Sequence, residues 1–258
     1  MSQINQVPLQ RYQNTVCLIT GGTTGIGLGI VKRVLQEGGS VVIATIENNL
    51  NEILNQQRQT FPQSKIEGIH CDIASKQDRL NLTNLISQKF GKLDIIFANA
   101  AVIQYKRNQL ELKEDQFQKM FDVNVKANFF LIKECLDLMK KSDRGDANIL
   151  LTSSMVSKTP DRYGGVYAMT KAALNNMAIW LSQELSEFNI RVNTICPGAF
   201  KTQMTVKQQD AFGSLSSKAF GEPEQLASVA CMMASKDGSF INGESYVVDN
   251  KVFSKFKL

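Results

Sequence analysis

Val16-Cys17-Leu18-Ile19-Thr20-Gly21-Gly22-Thr23-Thr24-Gly25-Ile26-Gly27 is the stretch on which the fold turns. Val16 to Thr20 is an apolar run without polar alternation, as expected of a strand buried on both faces. Glycines follow at 21, 22, 25 and 27, and Ile26 to Gln36 then shows helical spacing through Ile30, Val31, Val34 and Leu35. Glycine lets a strand-to-helix turn bend tightly and approach a ligand, and a helix N-terminus favours negative charge there. The spacing is G-x-x-x-G-x-G rather than the more familiar G-x-G-x-x-G. The location therefore argues for a dinucleotide pyrophosphate more than the pattern does, and a plain connecting turn is the competing reading.

Outward from that turn, short apolar runs alternate with longer helical stretches. Gly38-Gly39 stops the first helix, and Ser40 to Ala44, Ile66 to Cys71 and Leu93 to Ala98 read as further strands. Helices are expected over Asn49 to Thr60, Lys76 to Phe90 and, at greater length, Glu114 to Met139. Asn148 to Thr152 and Ile190 to Cys196 are the next strands, with a helix from Tyr167 to Phe188 between them. Pro197-Gly198 closes the sixth strand, Thr202 to Gly221 is the least regular part, Glu222 to Ala234 is a last helix and Ser245 to Val248 a last strand. Repeated β-α units of this kind predict an α/β fold, a single doubly wound parallel sheet with helices on both faces. Residues 1–14 read as a polar N-terminal arm and 15–258 as one α/β domain.

With 258 residues and 43% hydrophobic content the chain can bury a substantial core. Its 29 basic and 24 acidic residues are interspersed, giving a net charge of +5 and no run that would track a phosphate backbone. No nucleic-acid partner is expected. The 5 cysteines (Cys17, Cys71, Cys135, Cys196 and Cys231) form no C-x-x-C pair and mostly lie in apolar runs, as reduced core residues of an intracellular protein would. A single histidine, His70, cannot build a histidine metal site. No stretch reaches the ~18 apolar residues of a membrane span, and Met1 to Asn14 lack the apolar centre of a signal peptide. A cytoplasmic location is the expectation. Mitochondria and peroxisomes are alternatives: Arg11 is the only basic residue of the arm, and Phe256-Lys257-Leu258 departs from the S-K-L address at its first residue.

Tyr167-Ala168-Met169-Thr170-Lys171 carries the chemistry. Residues four apart share a helix face, so Tyr167 and Lys171 are neighbours. A free tyrosine, with a pKa near ~10, is a poor acid or base at neutral pH. A neighbouring ammonium favours the phenolate and lowers that value. Ser153 and Ser154 stand upstream, and a serine hydroxyl could polarise a carbonyl; adjacent strand residues point to opposite faces, so one of the two serves. Asn124 is a polar misfit in an apolar helix, which suggests a functional or kink role.

The glycine turn, Asn99-Ala100-Ala101 after the fourth strand, Tyr167-x-x-x-Lys171 and Pro197-Gly198, in that order, resemble the short-chain dehydrogenase/reductase family from about Val16 to Asp249. The resemblance implies a single Rossmann-type domain, with a seven-stranded parallel sheet, and NAD(P)-dependent hydride transfer. It places Gly21, Thr23, Gly25, Ile26 and Gly27 at the pyrophosphate, and Thr45 at the adenosine ribose. Asp72 and Ile73 fall at the adenine, although Asp72 could equally cap the following helix. Asn99 and Ala100 border the cofactor, as do Pro197 and Gly198, while Thr202 meets the nicotinamide amide. Asn124, Ser154, Tyr167 and Lys171 match the catalytic tetrad. In it Asn124 helps organise a water relay, Ser154 and Tyr167 bind the substrate oxygen, and Lys171 also holds the nicotinamide ribose.

The tyrosine–lysine spacing favours carbonyl or alcohol chemistry over the family's enoyl reductases, which space these residues more widely. Neither an aspartate at Thr45 nor an arginine near Ile46 selects the cofactor. Glu47 and Glu52 with no basic residue from Thr45 to Gln57 lean the choice to NAD over NADP. Tyr105, Lys106, Arg107, Met155, Lys158, Arg162, Met204 and Phe212 fall in the segments expected to rim the pocket. The substrate is a small carbonyl or alcohol, with strings similar to the carbonyl and retinal reductases of the family; a 3-oxoacyl thioester is the alternative. Phe129, Phe130, Met177 and Trp180 are candidates for a homodimer or homotetramer interface. A reading from another class is a cofactor-binding subunit of a larger assembly with vestigial catalysis. It draws on the weakened strand end at Thr45, the polar arm, and Asp249-Asn250-Lys251 where the family often has Asp-Gly-Gly.

Overall fold

The computed structural model describes residues 10–104, 106, 108–206 and 220–250. Seven parallel strands form one sheet in the order β3-β2-β1-β4-β5-β6-β7. They are β1 (Val16–Thr20), β2 (Ser40–Thr45), β3 (Ile66–His70), β4 (Ile95–Ala98), β5 (Ala147–Thr152), β6 (Ile190–Pro197) and β7 (Ser245–Val248). Side chains alternate across the sheet and both faces are apolar. Val16 and Leu18 enter one core with Ile96, Ile149 and the helices α3 (Lys76–Phe90), α5 (Ala127–Met139) and α6 (Gly165–Glu184). Cys17 and Ile19 enter the other with Phe97, Leu150 and the helices α1 (Gly25–Gln36), α2 (Leu50–Thr60) and α8 (Pro223–Ala234). Two further helices, α4 (Glu114–Phe121) and the short α7 (Gln203–Val206), lie near the strand ends. No helix among the described residues is long and apolar enough to cross a membrane.

From β1 the chain winds outward through β2 and β3, and then returns to build β4 to β7 on the other side. The loops after β1 and β4 therefore part, leaving a crevice beyond the carboxyl ends of these strands. Thr20 holds the floor of that crevice: its hydroxyl accepts from the backbone N–H groups of Asn99 (2.9 Å) and Ala100 (3.0 Å).

The expected strands and helices are present, with two departures. The stretch read as one helix from Glu114 to Met139 carries a π-helical turn, Asp122–Lys126, between α4 and α5. The extra residue of such a turn leaves the apolar periodicity on either side intact. The second departure is Tyr12, read as part of a polar arm. It is fully buried, and its hydroxyl donates to the Cys231 carbonyl of α8 at 2.7 Å. Beside it Arg11 pairs with Glu37 at 2.6 Å. Residues 1–9 and the Phe256-Lys257-Leu258 end lie outside the described residues.

Candidate functional site

The carboxyl ends of β1, β2, β4, β5 and β6 open into a cleft of about 1570 Å³. That exceeds an ordinary small-ligand pocket of roughly 300–1,000 Å³ and suits a dinucleotide together with a second molecule. The turn after β1 forms one wall. Gly21 (φ 65°) and Gly25 (φ 49°) adopt the left-handed backbone that side chains disfavour. At Gly27 a Cβ would lie 2.1 Å from the Gly21 carbonyl oxygen, so the turn closes only without one. Thr24, the N-cap of α1, makes no side-chain cap, and the first turn of the helix carries no acidic residue. Its leading N–H groups are thus left to an anion. Fold, turn and helix end together fit a dinucleotide pyrophosphate at this position.

Of the residues expected at the cofactor, Gly21, Gly25, Ile26, Thr45, Asp72, Ile73, Asn99, Ala100, Pro197, Gly198 and Thr202 line the cleft. Thr23 and Gly27 do not. Thr23 is buried behind the turn, where its hydroxyl shares a 3.0 Å hydrogen bond with that of Thr45. Thr45 Oγ1 also accepts from the Glu47 N–H at 3.1 Å, so two partners already hold it. Asp72 does not cap α3: Ser75 is the N-cap, accepting from the Asp78 N–H, while the Asp72 carboxylate accepts from the Ala74 N–H at 2.9 Å. Asn99 Nδ2 donates to the Thr20 carbonyl at 3.1 Å, tying the ends of β4 and β1. Thr202 belongs to a hydroxyl cluster with Thr205, whose Oγ1 donates to the Phe200 carbonyl at 2.7 Å.

Ser154, Tyr167 and Lys171 line the same cleft. Ser154 follows β5 and caps the short turn Met155–Ser157. Its neighbour Ser153 also borders the cleft, but its hydroxyl is buried and donates to the Lys171 carbonyl at 2.9 Å, so Ser154 is the serine placed to meet a substrate. Lys171 is 2% exposed; Nζ donates to the Thr152 carbonyl at 2.6 Å and lies 5.3 Å from the centre of the Tyr167 ring. Burial, which penalises the ammonium, brings its pKa down from 10.5 to about 7.

Asn124, the fourth member of the expected tetrad, does not line the cleft. It is fully buried in the π-helical turn. Its Oδ1 accepts from the Val102 N–H at 2.8 Å, and its Nδ2 donates to the Val102 carbonyl at 2.9 Å and to Thr170 Oγ1 at 3.0 Å. Thr170 in turn donates to the Tyr167 carbonyl at 2.7 Å. The asparagine thus clamps the segment after β4 to the helical turn that bears Tyr167, while Asn128 Nδ2 occupies its main-chain oxygen at 2.7 Å.

Ile46 and Glu47, read in the sequence only for the choice of cofactor, flank the end of β2, and Val102 and Ile103 lie in the expected rim after Ala101. Lys119 and Val123, which complete the wall on the β4 side, went unread in the sequence. Their signal was weak, because loop and helix residues of these types occur everywhere; only the splitting of the sheet brings them together. Of the expected rim, Met155, Lys158, Arg162 and Met204 line the cleft, Lys106 does not, and Tyr105, Arg107 and Phe212 lie outside the described residues.

The short chain dehydrogenase family model matches residues 15–212. A 3alpha-hydroxysteroid dehydrogenase of Mediterraneibacter gnavus is 31% identical over 243 residues, covering 92% of this chain and 96% of its own. The dehydrogenase/reductase SDR family member 4 of Caenorhabditis elegans is 33% identical over 255 residues, covering 93% and 95%. Among solved structures, the L-sorbose reductase of Gluconobacter frateurii, complexed with NADPH and L-sorbose, superposes with a TM-score of 0.86 at 26% identity, covering 92% of this chain and 96% of the reductase. With a parallel seven-stranded sheet and relatives alike over nearly its whole length, the chain belongs to the short-chain dehydrogenase/reductase family and is an NAD(P)-dependent oxidoreductase.

Proposed function

We propose that the cleft interconverts a ketone or aldehyde with the corresponding alcohol, Tyr167 exchanging the proton. The observation that carries this reading is the convergence of Ser154, Tyr167 and a buried Lys171 on one cleft, with Nζ 5.3 Å from the tyrosine ring. Gly21, Gly25 and Ile26 with the N-terminus of α1 hold the pyrophosphate. Asp72 and Ile73 border the adenine, Asn99, Ala100, Pro197 and Gly198 flank the remainder, and Thr202 meets the nicotinamide amide. Bound there, the nicotinamide supplies or accepts the hydride. The Ser154 and Tyr167 hydroxyls hold the substrate oxygen. As the carbonyl is reduced Tyr167 gives up its proton to that oxygen, and in the reverse direction it takes the proton back. Lys171, when charged, stabilises the phenolate that results. Asn124 acts at one remove, fixing the turn of α6 that carries Tyr167.

The cofactor is NAD in this reading. Around the end of β2 the lining side chains are Thr45, Ile46 and Glu47, with Asp72 close by in the wall. Two carboxylates and no cation there disfavour a 2′-phosphate. The Gluconobacter reductase is an NADPH complex, so the preference rests on these side chains and not on overall likeness. A 3-oxoacyl thioester is the second reading for the substrate, favoured by Lys119, Lys158 and Arg162 in the lining on the β4–β5 side.

Titration of the purified protein with NADH and NADPH, followed by a panel of ketones and aldehydes, tests both points. NADH should bind more tightly. Tyr167→Phe should lower turnover by about 10²–10⁴-fold, the usual weight of general acid–base catalysis, with cofactor affinity nearly unchanged. Retained turnover in Tyr167→Phe would remove the tyrosine from the mechanism, and tighter binding of NADPH would reverse the cofactor assignment.

A further inference from the structure

Asn175 lies on α6 one turn beyond Lys171 and two beyond Tyr167, on the same helix face. It is half-buried, and both ends of its amide are engaged. Nδ2 donates to Ser157 Oγ at 2.8 Å, and Ser157 Oγ donates to the Ser154 carbonyl at 2.6 Å. Oδ1 accepts from Thr194 Oγ1 at 3.0 Å and, more weakly, from Cys196 Sγ at 3.7 Å. Thr194 Oγ1 also lies 2.8 Å from Ser245 Oγ.

An amide oxygen only accepts and an amide nitrogen only donates, so Asn175 in this orientation accepts from β6 and donates to Ser157, whose own hydroxyl proton goes to the Ser154 carbonyl. On the β6 side the Thr194 hydroxyl is within donating reach of both Asn175 Oδ1 and Ser245 Oγ. Chains of this kind strengthen one another.

We propose that Asn175 is a positioning residue for the reaction. Through Ser157 it holds the turn that presents Ser154 in register with Tyr167 and Lys171, and through Thr194 it secures the end of β6 that leads into Pro197 and Gly198. The proposal rests on the assignment of Ser154 and Tyr167 to proton and substrate handling. Asn175 itself touches no reacting atom.

The test compares Asn175→Leu, Asn175→Asp, Ser157→Ala and the double variant Asn175→Leu/Ser157→Ala with the parent and with Tyr167→Phe, using the best carbonyl compound of the panel. Asn175→Leu and Ser157→Ala should each lower kcat about tenfold or more, with the dissociation constant of the nicotinamide cofactor within about twofold of the parent. The double variant should be no slower than the worse single one, since both break the same link. Asn175→Asp keeps the acceptor for Thr194 but loses the donor to Ser157, and should fall with Ser157→Ala. If Asn175→Leu fails to fold, Ser157→Ala and Asn175→Asp carry the same comparison.

Parent-like kcat in Ser157→Ala and Asn175→Asp, or fully multiplicative losses in the double variant, would overturn the positioning role while an inactive Tyr167→Phe leaves the assigned chemistry standing. An active Tyr167→Phe would overturn that chemistry, and the positioning role with it.

Discussion

Lys171, buried beside the cleft, holds a proton less tightly than a free lysine, with a pKa of about 7 against 10.5 in the unfolded chain. Between those values the unfolded state binds more protons, so this group makes stability rise with pH. Below about pH 7 the full cost of burying an ammonium opposes folding, and the cost fades as pH climbs towards 10.5. Lys171→Met keeps an apolar stem of similar length and removes the charge. We expect it to melt a few degrees higher than the parent near pH 6, a shift worth ~1–2 kcal/mol in a chain of this size, with the difference shrinking towards pH 10. Turnover should be lost. Thermal melts across that range check the point; a variant that melts lower throughout would mean that the bond from Nζ to the Thr152 carbonyl outweighs the burial.

The π-helical turn at Asp122–Lys126 shows what an element can do that no single residue does. By relaxing the helix at Asn124 it lets one amide satisfy both backbone groups of Val102 and the hydroxyl of Thr170. Asn124→Leu would take the partner from the part-buried N–H and C=O of Val102, at about 1–3 kcal/mol for each that stays unpaired, while Thr170 keeps its bond to the Tyr167 carbonyl. Chemical denaturation should therefore show a loss well beyond that of an ordinary surface change, and a midpoint matching the parent would refute the clamp. Most strands were legible in the sequence because parallel strands covered on both faces are continuously apolar, as in Val16–Thr20 and Ile95–Ala98. Asn124 stood out as a polar residue in an apolar helix. The π turn itself was not legible, since a single inserted residue shifts the phase of the apolar pattern without changing its period on either side. Nor was Thr45 Oγ1 bonded to Thr23, because that contact exists only once β1 and β2 pair.

At the scale of the whole molecule, α4, α5 and α6 leave an aromatic face. Phe129 stacks on Trp180 at 6.2 Å, Phe117 stacks on Phe121 at 4.8 Å, and Trp180 remains 47% exposed with Ile179 beside it at 46%. A second copy of the chain docked here would cover these side chains, which makes this the face proposed for a homo-oligomer. Trp180→Glu should then reduce the mass measured by light scattering towards the 28.7 kDa of one chain, and a parent already at that mass would refute it. Tyr12, fully buried against α8, joins the segment before β1 to the core, so the domain has a deeper root than its polar composition suggests. All five thiols are buried, Cys17 and Cys231 in the core of Tyr12 and Cys71 and Cys135 in the one across the sheet, each no more than 2% exposed and none in a disulfide. Burial pushes those of Cys71, Cys135 and Cys231 up to about 12. Burial thus denies reagent access to all five thiols, and alkylation becomes an intrinsic clock for opening. In a mass spectrum taken during slow labelling, molecules should carry either no label or all five, because only a chain that has let go of its core as a unit exposes any of them.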